Sequence, residues 1–504
     1  MNNILEYLER TAEKYPGRIA VEDDKEALTW KELEDLSRRI GTAAGKRIAS
    51  GDPVVILAPK GPLTLAAMFG AVYGGGFYVN GDPALPPRRL KEIFRVLRPK
   101  LVLIRPEEIP LIRQAGYTGD YCLLHEAAGE EPDLELLERR RKDSCSEDIL
   151  YGIFTSGSTG TPKGITVSHR AVIDFITHFT EIFGIDEKDR IGNQAPFDFD
   201  VSVKDIYSAV MTGAALVLIP RQLFSVPAAL LDYLCEKKAT VLIWAVSALT
   251  MISSLGGFKY RIPSDVRKVM FSGEVMPANQ LACWQEALPE AEFVNLYGPT
   301  EITCNCTYYP VQKVPGEGEK LPIGKAFPGR RVFLLNEEGG EIREPEQAGE
   351  ICVAGESLSL GYYHDPAETE KSFQERIFPD GRKERYYRTG DLGFLGKDGN
   401  LYFSGRKDFQ IKFNGHRIEL EEIERLLDQM QGIEKSCCVT DHRKTCLAAF
   451  YMGKVMPGEI RLWLKKRLPG YMVPRKIFQT EKLPLTKNGK TDRKALQKRL
   501  EDRR

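Results

Sequence analysis

Residues 151–169 (YGIFTSGSTGTPKGITVSH) place a loop rich in glycine and hydroxyl groups between two apolar runs that predict strands. Glycine lets the backbone approach an anion closely, and hydroxyl and lysine side chains donate to it. In a Walker loop, glycine precedes the lysine and Ser or Thr follows it; here Pro162 and Gly164 stand in those places. A surface turn is the alternative to a phosphate-binding loop of a different type. The candidate phosphate ligands are Thr155, Ser156, Gly157, Ser158, Thr159, Gly160 and Lys163.

Charge and hydropathy exclude several classes of protein. The 504 residues contain 71 basic and 71 acidic side chains, so no bulk charge favours nucleic acid or an anionic membrane surface. No apolar run approaches the ~18 to 20 residues of a spanning helix. The N-terminal segment is too charged for a signal peptide. We therefore expect a cytoplasmic protein without membrane insertion or nucleic-acid binding.

The ten cysteines and six histidines do not form a metal or disulfide pattern. No pair of cysteines has the CxxC spacing, and a disulfide framework is unusual in a chain of this length. We interpret most of the cysteines as small buried apolar residues.

The pattern of short apolar runs predicts an α/β fold. Residues 54–57, 101–104, 216–219 and 241–244 are apolar and rich in β-branched side chains, and helix-like segments separate several of them, as in βαβ units. After about residue 320, short strands and glycine turns indicate a small β subdomain.

The predicted architecture has two domains. We expect a large N-terminal domain of βαβ-built sheets and a β subdomain at residues 1–407. A small α+β C-terminal domain would follow at residues 408–504, hinged near Asp408.

A second motif, NLYGPTE at residues 295–301, indicates a nucleotide site. An aromatic ring followed by Gly-Pro makes a tight turn with a flat face that suits a purine. The hydroxyl of Thr300 and the carboxylate of Glu301 would face the phosphates, with Glu301 holding Mg²⁺. An ordinary turn is the alternative. The candidate nucleotide contacts here are Asn295, Tyr297, Gly298, Pro299 and Thr300.

Three further motifs contain isolated charges in turns. In YRTGD, the carboxylate of Asp391 suits a bidentate grip on two ribose hydroxyls, and Arg406 in GRKD is placed to reach ribose or phosphate. Lys490 lies in an Asn-Gly turn near the C-terminus. For each, a solvated turn residue is the alternative interpretation.

The ordered set of motifs, from about residue 20 to 494, resembles the adenylate-forming superfamily of acyl-CoA synthetases, luciferases and amino-acid adenylation domains. It is similar to nonribosomal peptide synthetase adenylation domains and D-alanine–carrier protein ligases. The resemblance implies ATP and Mg²⁺ as cofactors. It implies catalytic roles for Thr155, Glu301, Lys412 and Lys490, with Lys490 contacting the reacting oxygens during adenylation. The segment around Lys412 would close on the thiol acceptor in the second half-reaction, after rotation about Asp408.

The substrate side of the predicted site lies at residues 193–205. By resemblance, Asp200 anchors the α-ammonium group of an amino acid; Asp198 is the alternative. If Lys204 points inward, an acidic or strongly polar substrate side chain follows; if it points to solvent, that argument fails. Ser272 replaces a cysteine usual in D-alanine ligases. The resemblance assigns the side-chain pocket to Val201, Lys204, Ile243, Met270, Ser272, Leu296, Cys304 and Asn305.

The function that the resemblance implies is activation of an amino acid to an aminoacyl-adenylate with release of pyrophosphate. We expect transfer to the phosphopantetheine thiol of a separate acyl or peptidyl carrier protein, because no carrier attachment site follows the small domain. The alternatives are a D-alanine–carrier protein ligase specifically, an acyl- or aryl-CoA ligase, and a non-catalytic nucleotide-binding module.

Overall fold

The computed structural model describes residues 2–157, 161–316, 319–413, 415–441, 446–485 and 491–502. The strands in this part of the chain are β1 (Ile19–Glu22), β2 (Ala27–Thr29), β3 (Pro53–Leu57), β4 (Phe77–Gly81), β5 (Leu101–Ile104), β6 (Asp120–Leu123), β7 (Ile149–Thr155), β8 (Lys163–Ser168), β9 (Arg190–Asn193), β10 (Ala215–Leu218), β11 (Val241–Ala245), β12 (Lys268–Ser272), β13 (Glu292–Tyr297), β14 (Thr307–Pro310), β15 (Lys325–Ala326), β16 (Arg330–Leu335), β17 (Glu341–Ile342), β18 (Gly349–Gly355), β19 (Gly361–Tyr362), β20 (Phe373–Ile377), β21 (Lys383–Leu395), β22 (Leu401–Arg406), β23 (Gln410–Phe413), β24 (His416–Glu419), β25 (Ile433–Thr440), β26 (Leu447–Gly453) and β27 (Lys476–Gln479).

Helices connect most of these strands. The α-helices are α1 (Leu5–Lys14), α2 (Trp30–Gly45), α3 (Pro62–Tyr73), α4 (Pro87–Leu97), α5 (Ile109–Gln114), α6 (Leu124–Ala128), α7 (Leu134–Lys142), α8 (His169–Phe183), α9 (Val201–Thr212), α10 (Pro227–Glu236), α11 (Val246–Ser254), α12 (Ala278–Ala287), α13 (Pro366–Ser372), α14 (Leu420–Asp428), α15 (Pro457–Lys465) and α16 (Arg493–Glu501).

Two largely parallel sheets form the bulk of the N-terminal region, which confirms the predicted α/β class. One has the strand order β15-β14-β13-β12-β11-β9-β10-β1-β2, and the other has the order β19-β8-β7-β4-β3-β5-β6. Strands such as β3 and β11 are buried along their whole length, as parallel strands covered on both faces require. The C-terminal ends of β11, β12 and β13 meet at one edge of the first sheet, where the candidate site lies.

Glycines allow close packing of α2 against α3. A side chain at Gly41 would lie 2.5 Å from Cβ of Tyr73, and one at Gly70 would lie 2.7 Å from Cγ2 of Ile40. Since real Cβ atoms do not approach so closely, alanine at either position would force the helices apart.

A third, antiparallel sheet follows, in the order β17-β16-β18-β21-β20 with β22 beside β21. It corresponds to the β subdomain expected after residue 320. Residues 383–395 form its longest strand, β21, which carries Asp391. The sheet therefore brings the predicted ribose-binding carboxylate to the edge of the larger sheets.

The C-terminal residues bury cores of their own. One cluster extends from Phe413 to Ile477 and a second from Cys437 to Leu500, both around the sheet β25-β26-β27. The strands β23 to β27 and the helices α14 to α16 give this region the predicted α+β composition. The domain boundary at Asp408 stays a prediction.

The charged segment 126–142 contributes to α6 and forms α7, with a break between the two helices. Both helices pack on α2 despite the high charge of the segment, and Ala127 and Leu137 are buried in the same core cluster as apolar residues of α2.

A capping box stabilises the start of α2, and its contribution to the stability of the protein can be measured. The Thr29 hydroxyl accepts from the Glu32 amide, and the Glu32 carboxylate accepts from the Thr29 amide. Thr29→Ala is expected to lower the free energy of unfolding by about 1 kcal/mol, while Thr29→Ser retains most of it. Urea denaturation followed by circular dichroism measures both variants. Equal stability of the alanine variant and the wild type would contradict the contribution of the cap.

Candidate active site

A cavity of about 50 Å³ lies between the strand ends of the first sheet, the β subdomain and the hairpin β23–β24. We call it the central cavity. Six residues without a predicted role line it: Phe199, Gly273, Thr389, Gln410, Gly415 and Arg417. The predicted site residues that line it are Asp200, Val201, Lys204, Ser272, Gly298, Pro299, Thr300, Cys304, Asp391, Arg406 and Lys412.

Glu301 lies beside this cavity in a short turn of 3₁₀-helix, Thr300–Ile302, and is fully buried. Its Oε1 accepts from the hydroxyl of Tyr362 at 2.9 Å and from Nη1 of Arg417 at 2.8 Å. Burial alone would raise the pKa of Glu301, but the charge of the Arg417 guanidinium and the hydrogen bonds to the carboxylate together outweigh it, and the pKa lies below its usual value. Glu301 is therefore a buried carboxylate that stays charged.

The second carboxylate oxygen of Glu301, Oε2, is the candidate metal ligand. Oε2 is buried and has no hydrogen-bond partner among the described residues. A buried charged oxygen without a partner is costly, and oxygen of this type is the ligand that Mg²⁺ prefers. The carboxylate thus fits the predicted metal ligand.

Asp391 lies on β21 at the opposite side of the central cavity. Its Oδ2 accepts from the hydroxyl of Tyr297 at 2.6 Å, and its Oδ1 accepts from Arg406. Arg406 also donates to both carboxylate oxygens of Asp408 at 2.6 and 2.8 Å. One guanidinium therefore links the predicted ribose ligand to the predicted hinge.

The hairpin β23–β24 docks onto the predicted phosphate loop. The Ser156 hydroxyl donates to the carbonyl of Arg417 at 3.0 Å and accepts from the amide of Glu419 at 3.3 Å. The amide of Gly415 donates to Oε1 of Glu274 at 3.0 Å. In this conformation the C-terminal residues are seated over the site.

A buried ion pair holds the C-terminal region at a second point. Nη1 of Arg89 lies 2.7 Å from Oε1 of Glu422, with side chains 5% and 2% exposed. Nearby, the ring of His416 stacks on Tyr471 and meets Phe199 edge-on.

Asp200, the residue before α9, and Lys204, within α9, both face the central cavity. The Asp200 carboxylate accepts from the Thr300 hydroxyl at 2.7 Å, and its carbonyl accepts from the Cys304 thiol at 3.1 Å. Lys204 is 1% exposed and donates to Oδ1 of Asn305 at 2.7 Å. The structure thus places Lys204 inward, the first of the two orientations left open by the sequence.

Two family models match this chain. The model for the AMP-binding enzyme matches residues 8–363, and the model for its C-terminal domain matches residues 422–490. This chain belongs to the AMP-binding enzyme family.

Curated relatives in this family align along nearly the whole chain. D-alanine--D-alanyl carrier protein ligase of Listeria monocytogenes serotype 4b (strain F2365) is 32% identical over 512 residues, 98% of each chain. Tyrocidine synthase 1 of Brevibacillus parabrevis is 31% identical over 500 residues, 98% of this chain and 45% of that protein. This AMP-binding enzyme therefore spans less than half the length of that synthase.

A solved structure has the same fold. It is that of PA1221, an NRPS protein containing adenylation and PCP domains. It matches with a TM-score of 0.85 at 25% identity, covering 99% of this chain and 98% of that chain.

Three pocket positions predicted for this AMP-binding enzyme lie deeper than expected. Ile243, Met270 and Leu296 are at most 2% exposed on β11, β12 and β13, and they do not line the central cavity. All three side chains belong to the main hydrophobic core.

The structure does not bring Lys163 to the cavity. Its Nζ lies 2.7 Å from Oε1 of Glu368 and 5.3 Å from the centre of the Tyr362 ring. A nearby carboxylate therefore neutralises it in this conformation. Asn295 likewise turns away and donates to the carbonyl of Pro322 at 2.7 Å.

The remaining residues of the predicted loop divide into two groups. Thr155 ends β7 opposite Lys163, and Gly157 is packed so tightly that a Cβ would lie 2.1 Å from the carbonyl oxygen of Thr161. Ser158, Thr159, Gly160 and Lys490 lie outside the described residues.

The sequence did not reveal Arg417 or Arg89 as functional residues. Arg417 follows an Asn-Gly hairpin turn, a setting typical of exposed arginines, and Arg89 lies 333 residues before its partner Glu422. Only the docking of the C-terminal residues shows that Arg89 is buried and that the Arg417 side chain is 18% exposed.

The Arg89–Glu422 pair makes docking testable. Arg89→Ala leaves the Glu422 carboxylate buried without a partner, a change that costs about 3 to 5 kcal/mol in buried pairs. We expect faster hydrogen exchange at residues 410–419, measured by mass spectrometry. Arg88→Ala is the matched control, because Arg88 is 43% exposed and its one ion pair among the described residues is with the neighbouring Glu92. Unchanged protection in the Arg89 variant would show that the pair does not hold the hairpin.

Proposed function

We propose that this AMP-binding enzyme uses ATP to activate an amino acid as an aminoacyl-adenylate and then transfers the aminoacyl group to the phosphopantetheine thiol of a carrier protein. The observation that carries the proposal is Asp200. Its carboxylate faces the central cavity, and among the described residues it forms no ion pair. A substrate ammonium group supplies the missing cation.

The nucleotide side of the cavity supports the use of ATP. Asp391 presents a carboxylate for ribose hydroxyls beside Tyr297, and Thr300 presents a hydroxyl one residue before Glu301. Bound to the free oxygen of Glu301, Mg²⁺ would neutralise phosphate charge and assist the departure of pyrophosphate.

The first half-reaction needs no protein nucleophile. A carboxylate oxygen of the amino acid attacks the α-phosphorus of ATP, the bond to the bridging oxygen breaks, and pyrophosphate leaves. Asp200 holds the ammonium end so that the carboxylate meets the phosphate. Positioning and neutralisation of charge supply the rate.

The second half-reaction breaks the adenylate. The thiol loses its proton, its sulfur attacks the acyl carbon, and AMP leaves with the bonding electrons. Lys412 lines the cavity and forms no ion pair among the described residues, so its ammonium is available to the leaving phosphate.

We further infer that the docked hairpin belongs to this second half-reaction. Arg417 bonds Oε1 of the Glu301 carboxylate, so its positive charge would repel Mg²⁺ at the adjacent Oε2, and Ser156 bonds the hairpin backbone instead of a phosphate. Both contacts compete with Mg²⁺ and ATP. Binding of ATP would therefore release the hairpin, in keeping with the predicted rotation about Asp408. The role of Lys490 stays a prediction.

No helix in the described ranges is long and apolar enough to cross a bilayer.

Pyrophosphate release in the presence of single amino acids tests the proposed function. Asp200→Ala is expected to lower kcat/KM for the preferred amino acid about 100-fold, because a charged pair is lost from a buried site. The des-amino analogue, which lacks the ammonium group, should lose less than tenfold.

Asp198→Ala is the matched comparison, since Asp198 does not line the central cavity. We expect it to affect the amino acid and the analogue alike. Activity with fatty or aryl acids alone, or equal losses for both substrates in the Asp200 variant, would contradict amino-acid activation.

Glu301→Gln tests the metal site. The amide keeps the shape of the side chain but removes its charge, so we expect at least a roughly tenfold higher Mg²⁺ concentration for half-maximal pyrophosphate release. Glu338→Gln, at an exposed glutamate, is the control. An unchanged Mg²⁺ requirement in the Glu301 variant would remove Glu301 as the ligand.

A further inference from the structure

Lys204 is a buried cation that faces the central cavity. It is 1% exposed, yet it forms no ion pair with any described residue. Its Nζ lies 2.7 Å from Oδ1 of Asn305 and 3.5 Å from Oγ of Ser272, both neutral groups. An ammonium has three donors, so at least one remains for a group in the cavity.

The neighbouring negative charge does not neutralise Lys204. Asp200 precedes Lys204 by four residues, and residues at this spacing share one face of a helix. The Asp200 carboxylate bonds to Thr300 instead, while Lys204 bonds to Asn305. Opposite charges thus face one cavity without forming a pair.

The buried Lys268 and the half-buried Lys60 differ in their surroundings. Lys268 pairs with the carboxylate of Glu292. Lys60 is surrounded by the oxygens of Asn193, Gln194 and Ala195 at 3.0 to 3.5 Å. Lys204 has neither a carboxylate nor a full set of acceptors.

An unpaired buried cation destabilises the empty site. Burial lowers the pKa of Lys204 below its usual value, since removal from water disfavours the charged form. A carboxylate bound in the cavity would stabilise the charged form of Lys204 and satisfy the free donor. A neutral side chain would leave this cost in place.

We propose that the amino acid activated by this enzyme has a carboxylate in its side chain, and that Lys204 binds this carboxylate while Asp200 binds the ammonium group. The proposal rests on the amino-acid activation proposed above. Aspartate and glutamate are the proteinogenic amino acids of this class.

A different role for Lys204 is binding of the α-carboxylate, which every amino acid carries. That role predicts equal dependence on Lys204 for acidic and neutral substrates. It also fits the chemistry less well, because the α-carboxylate loses its charge when the adenylate forms. A side-chain carboxylate keeps its charge through both half-reactions.

The test is pyrophosphate release with both enantiomers of aspartate, asparagine, glutamate and glutamine, with the other proteinogenic amino acids, and with fatty and aryl acids. We expect kcat/KM for one acid to exceed that of its amide at least tenfold. In Lys204→Met, which keeps the length of the side chain without its charge, this ratio should fall at least tenfold. Lys268→Met is the matched control, because Lys268 is equally buried but lies away from the cavity. Its ratio should not change.

Binding gives a second measurement that does not depend on turnover. The aspartyl and asparaginyl sulfamoyl adenosines, or their glutamyl and glutaminyl counterparts, are stable analogues of the adenylates. By calorimetry, the acidic analogue should bind the wild type at least tenfold more tightly than the amide, and Lys204→Met should abolish the difference.

The outcomes separate this inference from the proposed function. A neutral amino acid as the best substrate overturns the acidic specificity but leaves amino-acid activation intact. Activity with fatty or aryl acids alone overturns both. Equal losses for acid and amide in Lys204→Met overturn the assignment of Lys204 to the side chain.

Discussion

The ion pair between Arg417 and Glu301 is the interaction on which the arrangement of the site depends. Glu301 is wholly buried and still charged, so it needs a cation in every functional state. In the described conformation Arg417 supplies that charge, and this requires the hairpin β23–β24 to sit over the phosphate loop. We propose that Mg²⁺ supplies the charge when ATP is bound. A single carboxylate would then couple nucleotide binding to the position of the C-terminal domain.

The same reasoning applies to α9. Asp200 and Lys204 are four residues apart and face the same cavity. The Asp200 carboxylate bonds to Thr300 and the Lys204 ammonium bonds to Asn305, so the two charges do not pair with each other. Polar neighbours that hold two opposite charges apart leave both available to a ligand. The substrate we propose completes both pairs at once, which would give selectivity against neutral amino acids because these leave Lys204 unpaired.

Local signals in the sequence predicted much of the fold. The apolar runs at residues 54–57 and 241–244 are parallel strands, and Thr29 with Glu32 forms a capping box, which has the spacing of a local sequence signal. The motifs around Asp200, Thr300 and Asp391 do meet at one cavity. These predictions succeeded because hydrophobic spacing and capping act over a few residues, and because the motif order resembles a known superfamily.

Contacts between distant parts of the chain were not predictable in this way. The motif around Lys163 predicts a phosphate ligand, but Glu368, 205 residues later, forms an ion pair with Lys163. Arg493, near the C-terminus, donates to the carboxylate of Glu424, 69 residues earlier. The inward orientation of Lys204 depends on Asn305, 101 residues away. In each case the deciding partner belongs to another element, and one sequence does not indicate which elements meet.

The most direct test of the account is a crystal structure of the protein with Mg²⁺ and a non-hydrolysable ATP analogue. The account predicts a metal ion beside Oε2 of Glu301, with the Arg417 guanidinium no longer within hydrogen-bond distance and the Ser156 hydroxyl released from the hairpin. An intact Arg417–Glu301 pair, with nucleotide bound and the metal ion held elsewhere, would contradict it.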